Sequence, residues 1–374
     1  MLLEVFFWTS VALIVYTHLG YPLVLWLISR LRRTRAERRG DAELPRVSLI
    51  VAAHDEEDVI AAKVEDALAL DYPRARLELI VASDGSTDRT ADEARAAGAD
   101  HVLELPRGGK IRAQDAGVEA ASGEIVAFTD ANCRLAPDAL RRLVARFGDP
   151  RVGYVCGQVR FTRADGTNEE GAYWRYELAV RELESRLGGV TGGNGALYAT
   201  RSEAYLVVDP RMGHDLSFPF NMVKRGWRAV YEPRARAEEK MVPTIEGEFR
   251  RKRRMMSHTW PIVLQGGMLS PRGYGPMYAL QIASHRLLRY ITPFLHVIAL
   301  GTNVALLGRG AVYTVTLALQ LVLFLAAAWG SVWKARPLRL AYYYVLVTAS
   351  PALGLWDWLR RGTPAGWERA EGTR

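Results

Sequence analysis

Acidic and polar side chains gather at three places where an apolar stretch of the chain gives out: His54-Asp55-Glu56-Glu57, Asp84, and Asp130 with Asn132. One carboxylate in such a place starts a turn or caps a helix. Three in succession point to a site that gathers donors, acceptors and a divalent cation, whose preferred ligands are oxygens. Two glycine-rich places accompany them: Gly108-Gly109 ahead of Lys110, and Gly192, Gly193 and Gly195 within 191–196. A lysine behind two glycines can approach a diphosphate closely as a compact point charge; its plain alternative is a solvated surface lysine. Glycines packed that densely let backbone approach a ligand, the alternative being an ordinary turn. No GxGxxG opens the first helix and no GxxxxGK[ST] occurs, which counts against dinucleotide and P-loop binding.

Such a set needs a scaffold, and the pattern from 45 to 243 supplies one. VSLIVAA at 47–53 is a continuous apolar run, as in a parallel strand buried on both faces. A helix is predicted over 57–70 from Val59, Ile60, Val64, Ala67 and Leu68 at helical spacing. Strands at 77–82, 101–105 and 124–129 alternate with helices at 87–97 and 111–121. This alternation predicts an α/β fold, βαβ units in an open parallel sheet, with ligands beyond the carboxyl ends of the strands. A further helix is predicted over 173–187, with Tyr173, Tyr176, Val180, Leu183 and Leu187 along a packing face.

The chain has 374 residues, 24% charged and 49% hydrophobic, with 49 Lys+Arg against 41 Asp+Glu giving +8. That is too apolar for disorder, and two cysteines, Cys133 and Cys156, make no disulfide framework or structural zinc site. The apolar residues concentrate at the ends. Residues 5–28 carry no formal charge, enough to cross a bilayer core, and Arg30, Arg32, Arg33, Arg35, Arg38 and Arg39 follow. That basic flank predicts an anchor with the next segment in the cytoplasm. Runs at 291–308, 311–333 and 340–356 predict three C-terminal spans, the last interrupted by Pro351 and so either tilted or re-entrant. The expected layout is a span over 1–30, a basic linker over 31–44, a catalytic domain over 45–250, interfacial segments over 251–287, spans over 288–359 and a tail over 360–374.

Taken in order and spacing, these motifs resemble the family-2 glycosyltransferases of GT-A fold, in the membrane-embedded branch that includes cellulose and hyaluronan synthases. The likeness covers 45–265. Ala52-Ala53-His54-Asp55-Glu56-Glu57 looks like the family's nucleotide-contacting start, with Asp55 where Asn is usual. The resemblance therefore implies nucleotide-sugar contacts for Ala53, Asp55, Glu57, Asp84 (on the base) and Lys110. Asp130-Ala131-Asn132 stands where the family has Asp-x-Asp, which implies Mg or Mn on Asp130 and Asn132, with one negative charge fewer than usual. Gly192, Gly193 and Asn194 resemble the segment beside donor sugar and acceptor, and His214-Asp215 the motif whose Asp is the catalytic base; His214, replacing Glu, would stand on the sugar side and assist the base, the plainer alternative being a packing or capping residue. Arg251-Lys252-Arg253-Arg254-Met255 aligns with Gln-Arg-x-Arg-Trp of the processive synthases, implying a diphosphate contact for Arg251 and Arg254. A basic run beside a membrane segment also reads as a lipid contact. Trp260 stands on the acceptor side or in an interfacial aromatic belt.

The expectation is thus a metal-dependent inverting glycosyltransferase of the inner (plasma) membrane with a cytoplasmic catalytic domain. Its partners would be a nucleotide-sugar donor, most simply a UDP-sugar, a lipid-linked or oligosaccharide acceptor, and membrane lipids, with no nucleic acid. Rival readings are a processive synthase that also translocates its product, a non-catalytic nucleotide-sugar-binding scaffold, and a nucleotidyltransferase.

Overall fold

The computed structural model describes residues 1–31, 44–162, 172–240, 244–333 and 335–363. Arg32, Arg33, Arg35, Arg38, Arg39, Lys334, most of the predicted tail and the side chain of Tyr173 lie outside the described residues. The chain divides into two compact units. Ile28–Pro243, Pro261–Ala279 and Thr363–Arg374 form the one that holds the sheet; Met1–Leu27, Thr244–Trp260 and Leu280–Gly362 form a helical one.

The chain opens with α1 (Leu2–Val15) and α2 (Tyr21–Leu31), joined by a π-helical turn, Tyr16–Gly20. The sheet unit then runs β1 (Val47–Ala53), α3 (Glu57–Leu68), β2 (Leu77–Asp84), α4 (Thr90–Ala96), β3 (His101–Leu105), α5 (Lys110–Ala120) and β4 (Ile125–Asp130). There follow β5 (Arg134–Leu135), α6 (Ala139–Ala145), β6 (Val152–Thr162), α7 (Ala172–Leu187), β7 (Leu197–Arg201), α8 (His214–Lys224) and β8 (Arg228–Lys240). The strands form one sheet in the order β3-β2-β1-β4-β7-β6-β8-β5.

From β3 to β4 every pairing is parallel, as the βαβ pattern predicts. The parallel run ends at the next step, outside the strands the pattern predicts: β7 lies antiparallel to β4, with Thr129 opposite Leu197. Beyond it β6 is antiparallel to β7 and parallel to β8. The physical reason is the route of the chain. A crossover helix returns each of the first four strands in the same sense, whereas β7 arrives from a loop at the carboxyl end of β4 and must run back.

Alternate side chains of a strand point to opposite faces, and each face is buried by its own helices. On one face Leu49, Val51 and Ala127 pack with Ile60, Val64 and Ala67 of α3 and Leu140 of α6. On the other, Ile50, Val126, Phe128 and Tyr198 pack with Leu178 of α7 and Phe218 and Met222 of α8. Helix α5 shares this second face: a Cβ placed on Gly117 would come 2.7 Å from Ile50 Cγ2, so only glycine lets that helix sit so close.

Next come α9 (Ile245–Leu264) and α10 (Pro276–Gln281), then, after a second π-helical turn (Ile282–Leu287), α11 (Leu288–Ala305), α12 (Ala311–Gly330) and α13 (Arg336–Arg361). The expected boundary at 250/251 falls inside α9, so the basic run begins no new segment. Two helices among the described residues are long and apolar enough to cross a membrane, Leu2–Leu31 and Ala311–Gly330. Helices α11 and α13 stand where two more spans are expected, α13 continuing through Pro351. Within the helical unit Tyr16 and Ser284 hydroxyls share a 2.9 Å hydrogen bond, and Arg253 Nη2 donates to Asp357 Oδ1 at 2.7 Å.

Candidate active site

The loops after β1 and β2 are sewn together. The Asp55 N–H donates to Ser86 Oγ at 3.0 Å, and Asp55 Oδ1 accepts from the Thr87 N–H at 2.7 Å. Asp55 takes a positive φ of 48°, a left-handed conformation tolerated by Asp and Asn more than by most residues. Glu57 Oε2 accepts from the Arg89 N–H at 3.1 Å, while Asp88 Oδ2 accepts from the Glu57 N–H at 3.2 Å. Ala53 is the buried last residue of β1.

Asp84, 1% exposed at the end of β2, organises the third loop. Its Oδ1 accepts from the N–H groups of Gly108 (2.6 Å) and Gly109 (3.0 Å), and its Oδ2 from Arg107 Nη1 (2.8 Å). A base approaching this carboxylate therefore meets an acceptor already engaged by the loop. The consequence of that loop is the placing of Lys110. Gly109 has a positive φ of 94°, helix α5 starts at the next residue, and the Lys110 ammonium is hydrogen-bonded to Asp130 Oδ1.

Asp130 supplies a carboxylate at the end of β4 and Asn132 an amide oxygen two residues on. Among the described residues no group of three or more His, Cys, Asp and Glu could hold a metal by itself. One carboxylate and one amide are enough for a hard cation whose remaining ligands are substrate phosphates and water. The residues thus fit Mg or Mn shared with a nucleotide, and do not fit a cage made by the protein alone.

The glycine-rich loop crosses the same end of β4 on its way into β7. A Cβ on Gly195 would lie 3.4 Å from Lys110 Nζ. The Gly193 peptide is held at both ends: its N–H donates to the Asp215 main-chain oxygen at 2.6 Å, and its carbonyl accepts from Arg181 Nη2 at 3.1 Å. Asp215 lies in the first turn of α8, and α5 and α8 pack on one face of the sheet. Asp130, next to inward-facing Thr129 and in phase with Phe128, points to that face as well. Tyr198, buried there, feels the charges of both Asp130 and Asp215. The structure therefore gathers Lys110, Asp130, the 191–196 loop and Asp215 at one rim.

Two expected sugar-side residues turn inward instead. The Asn194 amide ties the loop to two strands, Nδ2 donating to the Gly157 carbonyl of β6 at 2.7 Å and Oδ1 accepting from the Leu197 N–H of β7 at 2.8 Å. His214 is 2% exposed, its Nδ1 2.7 Å from Tyr198 Oη and its ring stacked on Phe218 at 4.0 Å. Burial, with the Lys110 charge adding to it, pushes its pKa down to about 3, so it stands in the core as a neutral imidazole. Gly192 lies in the same loop. Arg251, Arg254 and Trp260 belong to the helical unit. There Arg251 Nε pairs with Glu248 at 2.9 Å, and Trp260, 4% exposed, donates from Nε1 to the Pro351 carbonyl at 2.8 Å. Trp260 is packed inside its unit, not displayed in an interfacial belt.

Sequence reasoning misses Arg107, Arg181, Tyr154 and Lys63. Tyr154 and Arg181 crowd the Gly193 peptide from below, and a Cβ on Gly193 would fall 2.0 Å from Tyr154 Oη. Gly193→Ala is therefore expected to lower stability by about 1–3 kcal/mol, read as a fall in the thermal unfolding midpoint, and to displace Asp215 through the shared hydrogen bond.

Residues 48–209 match the family described as Glycosyl transferase family 2. A structure of a mannosyltransferase from Pyrobaculum calidifontis in complex with GDP-Man and Mn2+ superposes with a TM-score of 0.71, covering 96% of this chain and 99% of that one at 23% identity. This likeness establishes the GT-A fold. The beta-monoglucosyldiacylglycerol synthase of Nostoc sp. is 32% identical over 203 residues, 50% of this chain and 42% of that protein. An N-acetylglucosaminyltransferase of Rhizobium leguminosarum bv. viciae is 26% identical over 230 residues, 56% of this chain and 54% of that protein. The chain thus spans about half the length of these curated relatives or less. The matched stretch contains the Asp84, Lys110, Asp130 and Gly193 positions, whereas Asp215 follows it.

Proposed function

We propose that the protein is an inverting glycosyltransferase anchored in the inner membrane, with its sheet unit in the cytoplasm. It passes a sugar from a nucleotide-sugar, a UDP-sugar in the simplest case, to a lipid or lipid-linked acceptor. The observation that carries this reading is the gathering of Lys110, Asp130, the Gly193 loop and Asp215 at one rim and on one face of the sheet. Asp215 takes the proton of the acceptor hydroxyl as its oxygen attacks the anomeric carbon, and the nucleoside diphosphate leaves from the opposite side. Lys110, on a helix N-terminus, neutralises charge growing on the diphosphate. Asp130 and Asn132 would hold Mg or Mn, which when bound would supply Lewis-acid stabilisation of the leaving group. Asp84 keeps Lys110 in place through Gly108 and Gly109, and Asp55 and Glu57 keep the nucleotide-side loops closed on one another.

An amphiphilic acceptor suits the ground beside Asp215. The Pro261–Ala279 segment belongs to the sheet unit, where Tyr278 Oη donates to the Val190 carbonyl at 2.9 Å, one residue before the glycine-rich loop. It exposes Leu264 and Leu269. Two apolar helices of membrane-crossing length and a relative named for a glucosyl diacylglycerol agree with an acceptor held in a lipid surface. The test supplies membranes containing the protein with diacylglycerol and UDP-, GDP- or dTDP-sugars, and follows nucleoside diphosphate release and product size. Metal-dependent release with one sugar added per lipid is expected. No release with any donor would remove the transferase reading, and a polymer would replace it with a processive one.

A further inference from the structure

Lys63 is out of place. It lies on the inward stripe of α3 between Ile60 and Val64, and only 3% of it is exposed. The surrounding layer is made of Val51, Ala53, Ile60, Val64 and Ala67. Burying an ammonium among such groups is costly unless its protons are met, and the burial pushes its pKa down. Its Nζ donates to two acceptors, Thr129 Oγ1 at 3.0 Å and the Cys133 carbonyl at 2.6 Å. Those two residues bracket Asp130-Ala131-Asn132. One turn further along α3, Asp66 Oδ2 accepts from the Leu135 N–H at 3.0 Å, so the helix grips the strand that follows as well.

The grip comes from the face opposite the reaction. Thr129 points to the α3 side of the sheet and Asp130 to the α5 side, where Lys110 meets it. We infer that Lys63 is a positioning residue for the Asp130–Asn132 turn, fixing from beneath the oxygens that take the metal and diphosphate. It touches no substrate itself. A turn with one carboxylate where two are usual depends more heavily on orientation, since the Asn132 amide binds a cation only when its oxygen is aimed correctly. This rests on the proposed metal–nucleotide role of that turn.

The test compares Lys63→Met with Lys63→Gln. Methionine keeps the apolar stem out to Cε but lacks the terminal ammonium and donates nothing. Glutamine is neutral, yet its NH2 has the two protons that Thr129 Oγ1 and the Cys133 carbonyl accept. Mn2+ is titrated into each full-length protein with UDP or GDP present, bound metal being read by electron paramagnetic resonance, and thermal midpoints are measured in parallel. Lys63→Met is expected to weaken Mn2+ binding by about 10–100-fold, as loss of groups that orient metal ligands does, while Lys63→Gln recovers most of it. Folded Lys63→Met that binds within about twofold of the unaltered protein overturns the inference. Should Lys63→Met not fold, Lys63→Gln decides: near-normal binding supports positioning by hydrogen bonds, and a loss as deep as about 10–100-fold refutes it. If the unaltered protein binds no Mn2+ with either nucleotide, the reading of the turn as a metal site falls first, and this inference with it.

Discussion

Asp215→Asn lowers kcat by about a thousandfold and leaves nucleotide affinity almost unchanged. The asparagine is the same size, and the bond that ties this position to the glycine-rich loop runs through its main-chain oxygen, so it survives the substitution. What disappears is the ability to take a proton. A transfer in which the acceptor hydroxyl attacks without a base retains only the help of placement and leaving-group stabilisation. Single-turnover transfer, paired with nucleotide titration by calorimetry, separates the two effects. A loss in kcat smaller than about tenfold would take Asp215 out of the role of base.

Asp130→Asn is the second large effect, and its profile differs. The substitution removes the carboxylate that meets the Lys110 ammonium and puts a neutral amide in its place. Two amides at 130 and 132 then stand where one carboxylate and one amide stood. Divalent cation binding with nucleotide is expected to fall by about 100-fold, with a matching rise in donor KM and a kcat lower by about 100-fold or more. EDTA on the unaltered protein produces a similar loss, reversed by Mn2+. A variant that kept normal donor KM and normal EDTA sensitivity would place the metal elsewhere.

Parts of this site were legible in the sequence for a definite reason. The strand VSLIVAA is covered by helices on both faces, and every position of it is buried, so it appears as an unbroken apolar run. Acidic residues at the ends of β2 and β4 stood out because parallel strands all finish at the same rim. Strands β6 and β8 gave no such signal: β8 alternates buried and exposed positions over its second half, and charged residues fill the exposed ones. The reversal at β7 depends on which strand it pairs with, which no local pattern carries. Asn194 and His214 stand within motifs that resemble sugar-side segments, and a motif says nothing of where each side chain points. The structure turns both inward, since the loop's own amides and the aromatic layer around Tyr198 need them. Lys63 left one trace, a cation in an apolar helical stripe, whose meaning rests on Thr129 and Cys133 far along the chain.

The antiparallel junction of β4 with β7 divides the sheet unit's labour. In the proposed reading the nucleotide is handled from β1 to β4, the helices between them and the 130–132 turn, and the base with its loop hangs on β7 and α8. The two groups of strands share a single seam, the pairing of 125–129 with 197–201. Substitutions on the far side of that seam can reshape what receives the sugar while leaving donor recognition intact. Chimeras that exchange the chain from β6 onward between relatives should therefore inherit the donor of one parent and the acceptor of the other.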